Sequence, residues 1–124
     1  MKFIYIDGDN IGLKIEQSFL NNDEKKLSEI NLMVANAIKN ITSYLLSEKQ
    51  EIIFSGADGI ISKGSNINLS DLLKNVRNTD VNLTFSIGMG YTLNDSYIAL
   101  RYAKSYNKNI AVTLENGSYE IISV

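Results

Sequence analysis

Within the first dozen residues the hydrophobic pattern changes period, and acids stand at the change. Residues 2–7 (Lys-Phe-Ile-Tyr-Ile-Asp) are a nearly continuous apolar run rich in β-branched and aromatic side chains, which predicts a strand buried on both faces. From residue 10 to residue 20 the apolar positions Ile11, Ile15 and Phe19 recur at every fourth residue, the spacing of a helix face. A helix therefore starts as soon as the strand ends, with Asn10 as its cap, and Asp7-Gly8-Asp9 is fixed at the rim of a sheet.

The rest of the chain repeats this alternation. Leu27, Ile30, Val34, Ile38, Ile41 and Leu45 step by three and four residues over about five turns, so a long second helix packs along the sheet. Short strands over 51–54 and 60–62 flank Ser55-Gly56-Ala57-Asp58-Gly59, whose glycines are expected to supply the positive φ of a tight hairpin with an acid at its tip. Asn68 and Ser70 are caps for a short helix running to Val76, residues 81–91 read as a strand, and Leu93-Asn94-Asp95 opens a helix reaching Tyr106. Strands over 110–114 and 119–124 close the chain around Glu115-Asn116-Gly117-Ser118. The order β-α-α-β-β-α-β-α-β-β predicts an α/β (α+β) sandwich of ferredoxin-like type, a mixed sheet covered by helices. No linker or repeat divides residues 1–124, so a single domain is expected.

Composition narrows the chemistry. The chain has neither cysteine nor histidine, which removes thiolate nucleophiles, imidazole acid–base catalysis and Cys/His zinc sites. A net charge of −2 offers no basic face for a long nucleic acid, so a mononucleotide is the more natural partner. No apolar run approaches the roughly 20 residues of a membrane span, and Met1-Lys2 leads directly into strand-like residues without a secretory signal, so a cytoplasmic protein is expected.

The two acidic segments, Asp7-Gly8-Asp9 and Asp58, lie about fifty residues apart, each after a strand. If the strands are adjacent, Asp7 and Asp58 meet. Magnesium takes one or two carboxylates and leaves its other positions to water and phosphate, so the pair suffices for Mg²⁺ or Mn²⁺, with the Gly8 carbonyl as a further ligand. Gly8 also lets a nucleotide approach the backbone. Unpaired N–H groups of Asn10, Ile11 and Gly12 at the helix start make a phosphate cradle beside it. Lys104 and Lys108, four apart, fall on one helical face near the end of the last helix. Each feature has a plainer explanation: turn or cap chemistry for the Asp-x-Asp, and pairing with the helix dipole for the lysines.

Taken together, the segments resemble a palm-type nucleotidyl cyclase or polymerase. Ile6-Asp7-Gly8-Asp9-Asn10-Ile11-Gly12 is similar to the first acidic motif of the polymerase-like large subunit of type III CRISPR complexes, and Ser55-Gly56-Ala57-Asp58-Gly59 stands where that family carries Gly-Gly-Asp-Asp. Ser86-Ile87-Gly88-Met89-Gly90 and the segment from Ala103-Lys104 to Lys108-Asn109 resemble the later hallmarks of GGDEF cyclases, a Ser-Ile-Gly strand and an Ala-Lys-x-x-Gly-Arg-Asn helix end. The match runs from about Phe3 to Val112, and the nearest resemblance is to the stand-alone minimal CRISPR polymerases (mCpol) of bacterial anti-phage defence.

The resemblance implies that Asp7 and Asp58 are catalytic and bind metal with Gly8, that Asp9 is a further ligand or a helix cap, and that Asn10, Ile11, Gly12, Ser55, Gly56, Lys104 and Lys108 contact substrate. It further implies a cyclic nucleotide signal made from nucleoside triphosphate, a homodimer that brings two nucleotides together, and a downstream effector protein that responds to the signal. Two motifs depart from the family pattern, the hairpin and the base-reading position. Ala57 replaces the second glycine, and Gly59 replaces the second acid, which bears on whether two metals are held. Ile15 stands eight residues after Asp7, where GGDEF cyclases place an asparagine that reads guanine, and this favours ATP. The alternatives are a degenerate palm domain that binds nucleotide as a sensor, and a haloacid-dehalogenase-like phosphatase with Asp7 as nucleophile.

Overall fold

A computed structural model describes residues 1–124. Its elements follow the expected order: β1 (Lys2–Gly8), α1 (Ile11–Leu20), α2 (Glu24–Ser47), β2 (Glu51–Gly56), β3 (Gly59–Gly64), α3 (Leu69–Arg77), β4 (Phe85–Gly90), α4 (Leu93–Tyr106), β5 (Ala111–Glu115) and β6 (Ser118–Ile122). The strands form one mixed sheet in the order β2-β3-β1-β4-β5-β6. β1 lies near its middle, antiparallel to both β3 and β4, while β4 and β5 are parallel and joined through α4. The ferredoxin-like mixed sheet covered by helices is the architecture observed.

The two faces of the sheet are covered differently. Ile4 and Ile6 of β1, Ile60 of β3, and Phe85 and Ile87 of β4 point to one side, where they pack with Ile30, Ile41 and Leu45 of α2 and Leu72 and Leu73 of α3 in the main core. The opposite face is covered by α4. There the side chains of β1 are only half-buried, which corrects the expectation of a strand buried on both sides. Gly88 and Gly90 let α4 approach β4 closely. A methyl group at Gly88 would collide with the backbone of Ser96 and Leu100, and one at Gly90 with Asp95.

Local chemistry sets the boundaries. Asp23, Asn68 and Thr92 cap α2, α3 and α4 by accepting from the backbone N–H groups of Lys26, Asp71 and Asp95. Ser70 lies inside α3 and is not its cap. β4 begins at Phe85 rather than at residue 81, because Val81 is 96% exposed and packs on nothing. The Asn116-Gly117 turn has positive φ at both residues, which matches the twist of the β5–β6 hairpin.

The β2–β3 turn departs from expectation in an instructive way. Its positive φ, 50°, belongs to Ala57 and not to a flanking glycine. The glycines serve space instead: a Cβ at Gly59 would lie 3.2 Å from Asp7 Oδ1.

Candidate active site

The register of the sheet brings the two acids together. Asp7 pairs with Gly59 across the β1–β3 ladder, and Asp58 precedes Gly59, so both acids stand at the same end of adjacent strands. The Gly8 N–H donates to the Asp58 carbonyl at 2.9 Å, extending the ladder past the last rung. A Cβ at Gly8 would lie 3.2 Å from Asp58 Oδ2, as one at Gly59 would from Asp7 Oδ1, so each carboxylate leans over the glycine of the opposite strand. Neither glycine could carry a side chain without crowding an acid.

Lys104 enters this site from the far side of the sheet. Its Nζ donates to the Gly8 carbonyl at 2.7 Å, to the Asp7 carbonyl at 3.2 Å and to Asp9 Oδ1 at 2.8 Å, and lies 3.3 Å from Asp7 Oδ2. The ammonium thus sits among oxygens that would suit a cation. Burial pushes the Asp7 carboxyl above the usual carboxylate range; Lys104 pulls it back, and the Asp58 and Asp9 charges push it up again. Tyr5, whose ring packs near Gly59, is likewise raised, first by burial and then by the charges of Asp7 and Asp58. Concentrated negative charge, incompletely neutralised by one lysine, fits a divalent cation held by Asp7 and Asp58 with the Gly8 carbonyl beside them.

Asp9 has a different place. Only 3% exposed, it accepts from Ser86 Oγ at 2.7 Å and Lys104 Nζ at 2.8 Å on Oδ1, and from Thr84 Oγ1 at 2.8 Å and the Asn109 N–H at 3.0 Å on Oδ2. Two donors on each oxygen use all its lone pairs. Asp9 therefore neither caps α1 nor has an oxygen free for metal, and it ties β1 to β4 and to the α4–β5 connection.

The remaining expected residues divide. Asn10 occupies the cap position of α1 with φ 59°, but its side chain caps nothing and accepts from Lys108 Nζ at 2.7 Å instead. Lys108 lies beyond the end of α4, in a left-handed turn with φ 55°, so it does not share a helical face with Lys104. Both lysines nevertheless line one polar hollow of about 420 Å³ with Asp7, Asn10, Arg101 and Ser105. Ile11 and Gly12 line a second, apolar cleft of about 570 Å³ with Ile15, Leu27, Ile30, Asn31, Val34, Ala57 and Asp58. Asp58 thus joins the cleft to the acidic site, whereas Ser55 and Gly56 lie on edge strand β2 outside its lining.

Residues that sequence spacing did not single out for the site are Thr84, Ser86, Asn109 and Arg101. The signals available were the Ser86-Ile87-Gly88 and Lys108-Asn109 segments with their resemblance to GGDEF hallmarks; in the fold Ser86 pairs in register with Asp7.

The family model of the minimal CRISPR polymerase domain, mCpol, matches residues 3–114. The chain belongs to the mCpol family. No curated protein sequence is significantly similar to it. Among solved structures, this mCpol chain is similar to the active GGEEF domain of a diguanylate cyclase from Vibrio cholerae, with TM-score 0.66 and 17% identity over 90% of this chain and 81% of that one. It is also similar to a diguanylate cyclase/phosphodiesterase from Caldicellulosiruptor saccharolyticus, with TM-score 0.62 and 18% identity over 96% of this chain and 78% of that one. The adenylyl cyclase CyaB from P. aeruginosa is similar with TM-score 0.51 and 8% identity over 91% of this chain and 75% of that one. These likenesses establish the palm fold. The haloacid-dehalogenase-like alternative is disfavoured because Asp58 follows β2, which forms an antiparallel hairpin with β3 rather than a parallel pair.

Proposed function

We propose that this mCpol domain is a metal-dependent nucleotidyltransferase that makes a cyclic nucleotide signal from ATP. One observation carries the reading: Asp7 and Asp58 stand together at the paired ends of β1 and β3, between a cationic hollow and an apolar cleft. The cleft has the shape and chemistry for a base, and the hollow with Lys104, Lys108 and Arg101 for phosphates. A divalent metal held by Asp7 and Asp58 would supply Lewis acidity at the α-phosphate and lower the pKa of the attacking ribose hydroxyl.

The chain's own groups do the positioning. Gly12, with open space where a side chain would stand, keeps the backbone open to the nucleotide, the N–H groups at the start of α1 face the phosphates, and Lys104, fixed by Asp9, balances the charge at the acids. The 3′ or 2′ hydroxyl of one ATP attacks the α-phosphorus of another, losing its proton as pyrophosphate leaves; a second such attack closes the ring and releases a second pyrophosphate and proton. One cleft holds one base, so the reading includes a homodimer that presents two nucleotides to each other. The reading extends to an effector protein that responds to the product, in anti-phage defence, as the resemblance to stand-alone minimal CRISPR polymerases implies.

Incubation with the four ribonucleoside triphosphates and Mg²⁺ or Mn²⁺, with products resolved by mass spectrometry, tests this. A cyclic adenine nucleotide that disappears in Asp58→Ala, with the fold retained, is the expected result. Triphosphate that binds and stays intact would instead favour a nucleotide sensor, a reading that Gly59 supports because it removes the second hairpin acid. Activity from a strict monomer would remove the dimer.

A further inference from the structure

The apolar cleft contains one side chain that does not belong to an apolar wall. Leu27, Ile30, Asn31 and Val34 share one face of α2, and all four line the cleft. Three of them are apolar. Apart from Asp58 at the junction with the acidic site, Asn31 is the only polar side chain in the lining, and it is exposed rather than tied into the core. Ile15, on the facing helix α1, offers no hydrogen bond.

We propose that Asn31 reads the base and makes adenine the preferred one, an inference that rests on the cleft being the base site of the proposed cyclase. A carboxamide presents one acceptor and one donor side by side. Adenine offers the complement, with its 6-amino group donating and a ring nitrogen accepting. Both partners are then satisfied, and the purine faces meet the isoleucine and leucine walls. Guanine can pair its O6 and N1–H with the same amide reversed, but its 2-amino group then faces a lining whose one other polar side chain, Asp58, stands at the junction with the acidic site. An unpaired donor in such a cleft corresponds to about a 10- to 100-fold loss of affinity. Pyrimidines fit the amide but cover less of the apolar wall.

Calorimetric titration with non-hydrolysable ATP and GTP analogues in Mg²⁺ tests the assignment, with thermal unfolding run in parallel. The wild-type protein is expected to prefer the ATP analogue by about 10-fold or more. Asn31→Ala should lose that preference through weaker ATP binding while its unfolding temperature stays unchanged, because the residue is exposed and alanine favours a helix. Asn31→Asp should shift the preference toward guanine, since a carboxylate accepts from N1–H and the 2-amino group together. An unaltered preference in both variants, with nucleotide still bound, overturns the role of Asn31 and leaves the cyclase reading standing. A wild-type preference for guanine overturns the adenine assignment. Failure of the wild-type protein to bind either analogue overturns the cyclase reading and this inference with it.

Discussion

Removing the Asp9 carboxylate should cost more stability than removing either acid proposed to hold metal. Its four donors come from Thr84 and Ser86, from Lys104, and from the Asn109 backbone, so one side chain joins β1, β4, α4 and the connection to β5. Asp9→Ala leaves two hydroxyls and a largely buried ammonium without this acceptor, and the Asn109 N–H with only Ser86 Oγ at 3.1 Å. Breaking a buried ion pair from one side costs about 3–5 kcal/mol. Lys104 keeps the Gly8 carbonyl at 2.7 Å and Asp7 Oδ2 at 3.3 Å, which offsets part of that loss. The expected result is therefore about 3–4 kcal/mol in urea unfolding at neutral pH, or roughly 10–15 °C in Tm for a domain of this size. Asp9→Asn keeps one acceptor oxygen but turns an N–H₂ toward the donors, and should lose about 2 kcal/mol. A loss below about 1 kcal/mol for Asp9→Ala, the scale of an exposed pair, would refute Asp9 as the anchor of the site.

Two further expectations concern the acids' surroundings. Ala57 sits at φ 50°, where an L-residue costs about 1–2 kcal/mol, so Ala57→Gly should raise stability by roughly 0.5–1 kcal/mol after the entropy of glycine is subtracted, as read by urea unfolding. The raised Asp7 carboxyl destabilises the metal-free fold once ionised: the penalty is absent below the ordinary carboxylate value of 3.8 and complete above the raised folded value. Asp7→Asn should accordingly melt higher than wild type at neutral pH without metal, and the difference should fade as the pH falls through the carboxylate range; a difference independent of pH would contradict this cause.

The parts of the fold legible in the sequence were those written by local period. The three- and four-residue steps of α2 bury Ile30, Ile41 and Leu45 as expected, and the strand-to-helix switch places Asp7 at a strand end. The strand start at residue 81 misled because an apolar residue in a loop has the same letter as one in a sheet, and Val81 has no packing partner. The approach of Asp7 to Asp58 depended on β1 and β3 being neighbours in one register, which order and spacing suggest but do not determine. Least legible was the network around Asp9. Thr84, Ser86 and Asn109 are far from it in sequence, and their convergence follows from the β1–β4 register and a left-handed turn at Asn109, φ 52°. Lys108 shows the same limit: counting four from Lys104 implied a helix face, whereas the helix ends at Tyr106 and a turn delivers the lysine to Asn10.

The central claim is that Asp7 and Asp58 together hold the cation on which turnover depends. Mn²⁺ binding followed by electron paramagnetic resonance, in the presence of a non-hydrolysable ATP analogue, addresses it without relying on activity. Wild-type protein is expected to bind Mn²⁺, and Asp7→Asn and Asp58→Asn should each weaken that binding by about 10-fold or more while remaining folded. Undiminished Mn²⁺ affinity in Asp58→Asn would contradict the pairing of the two acids.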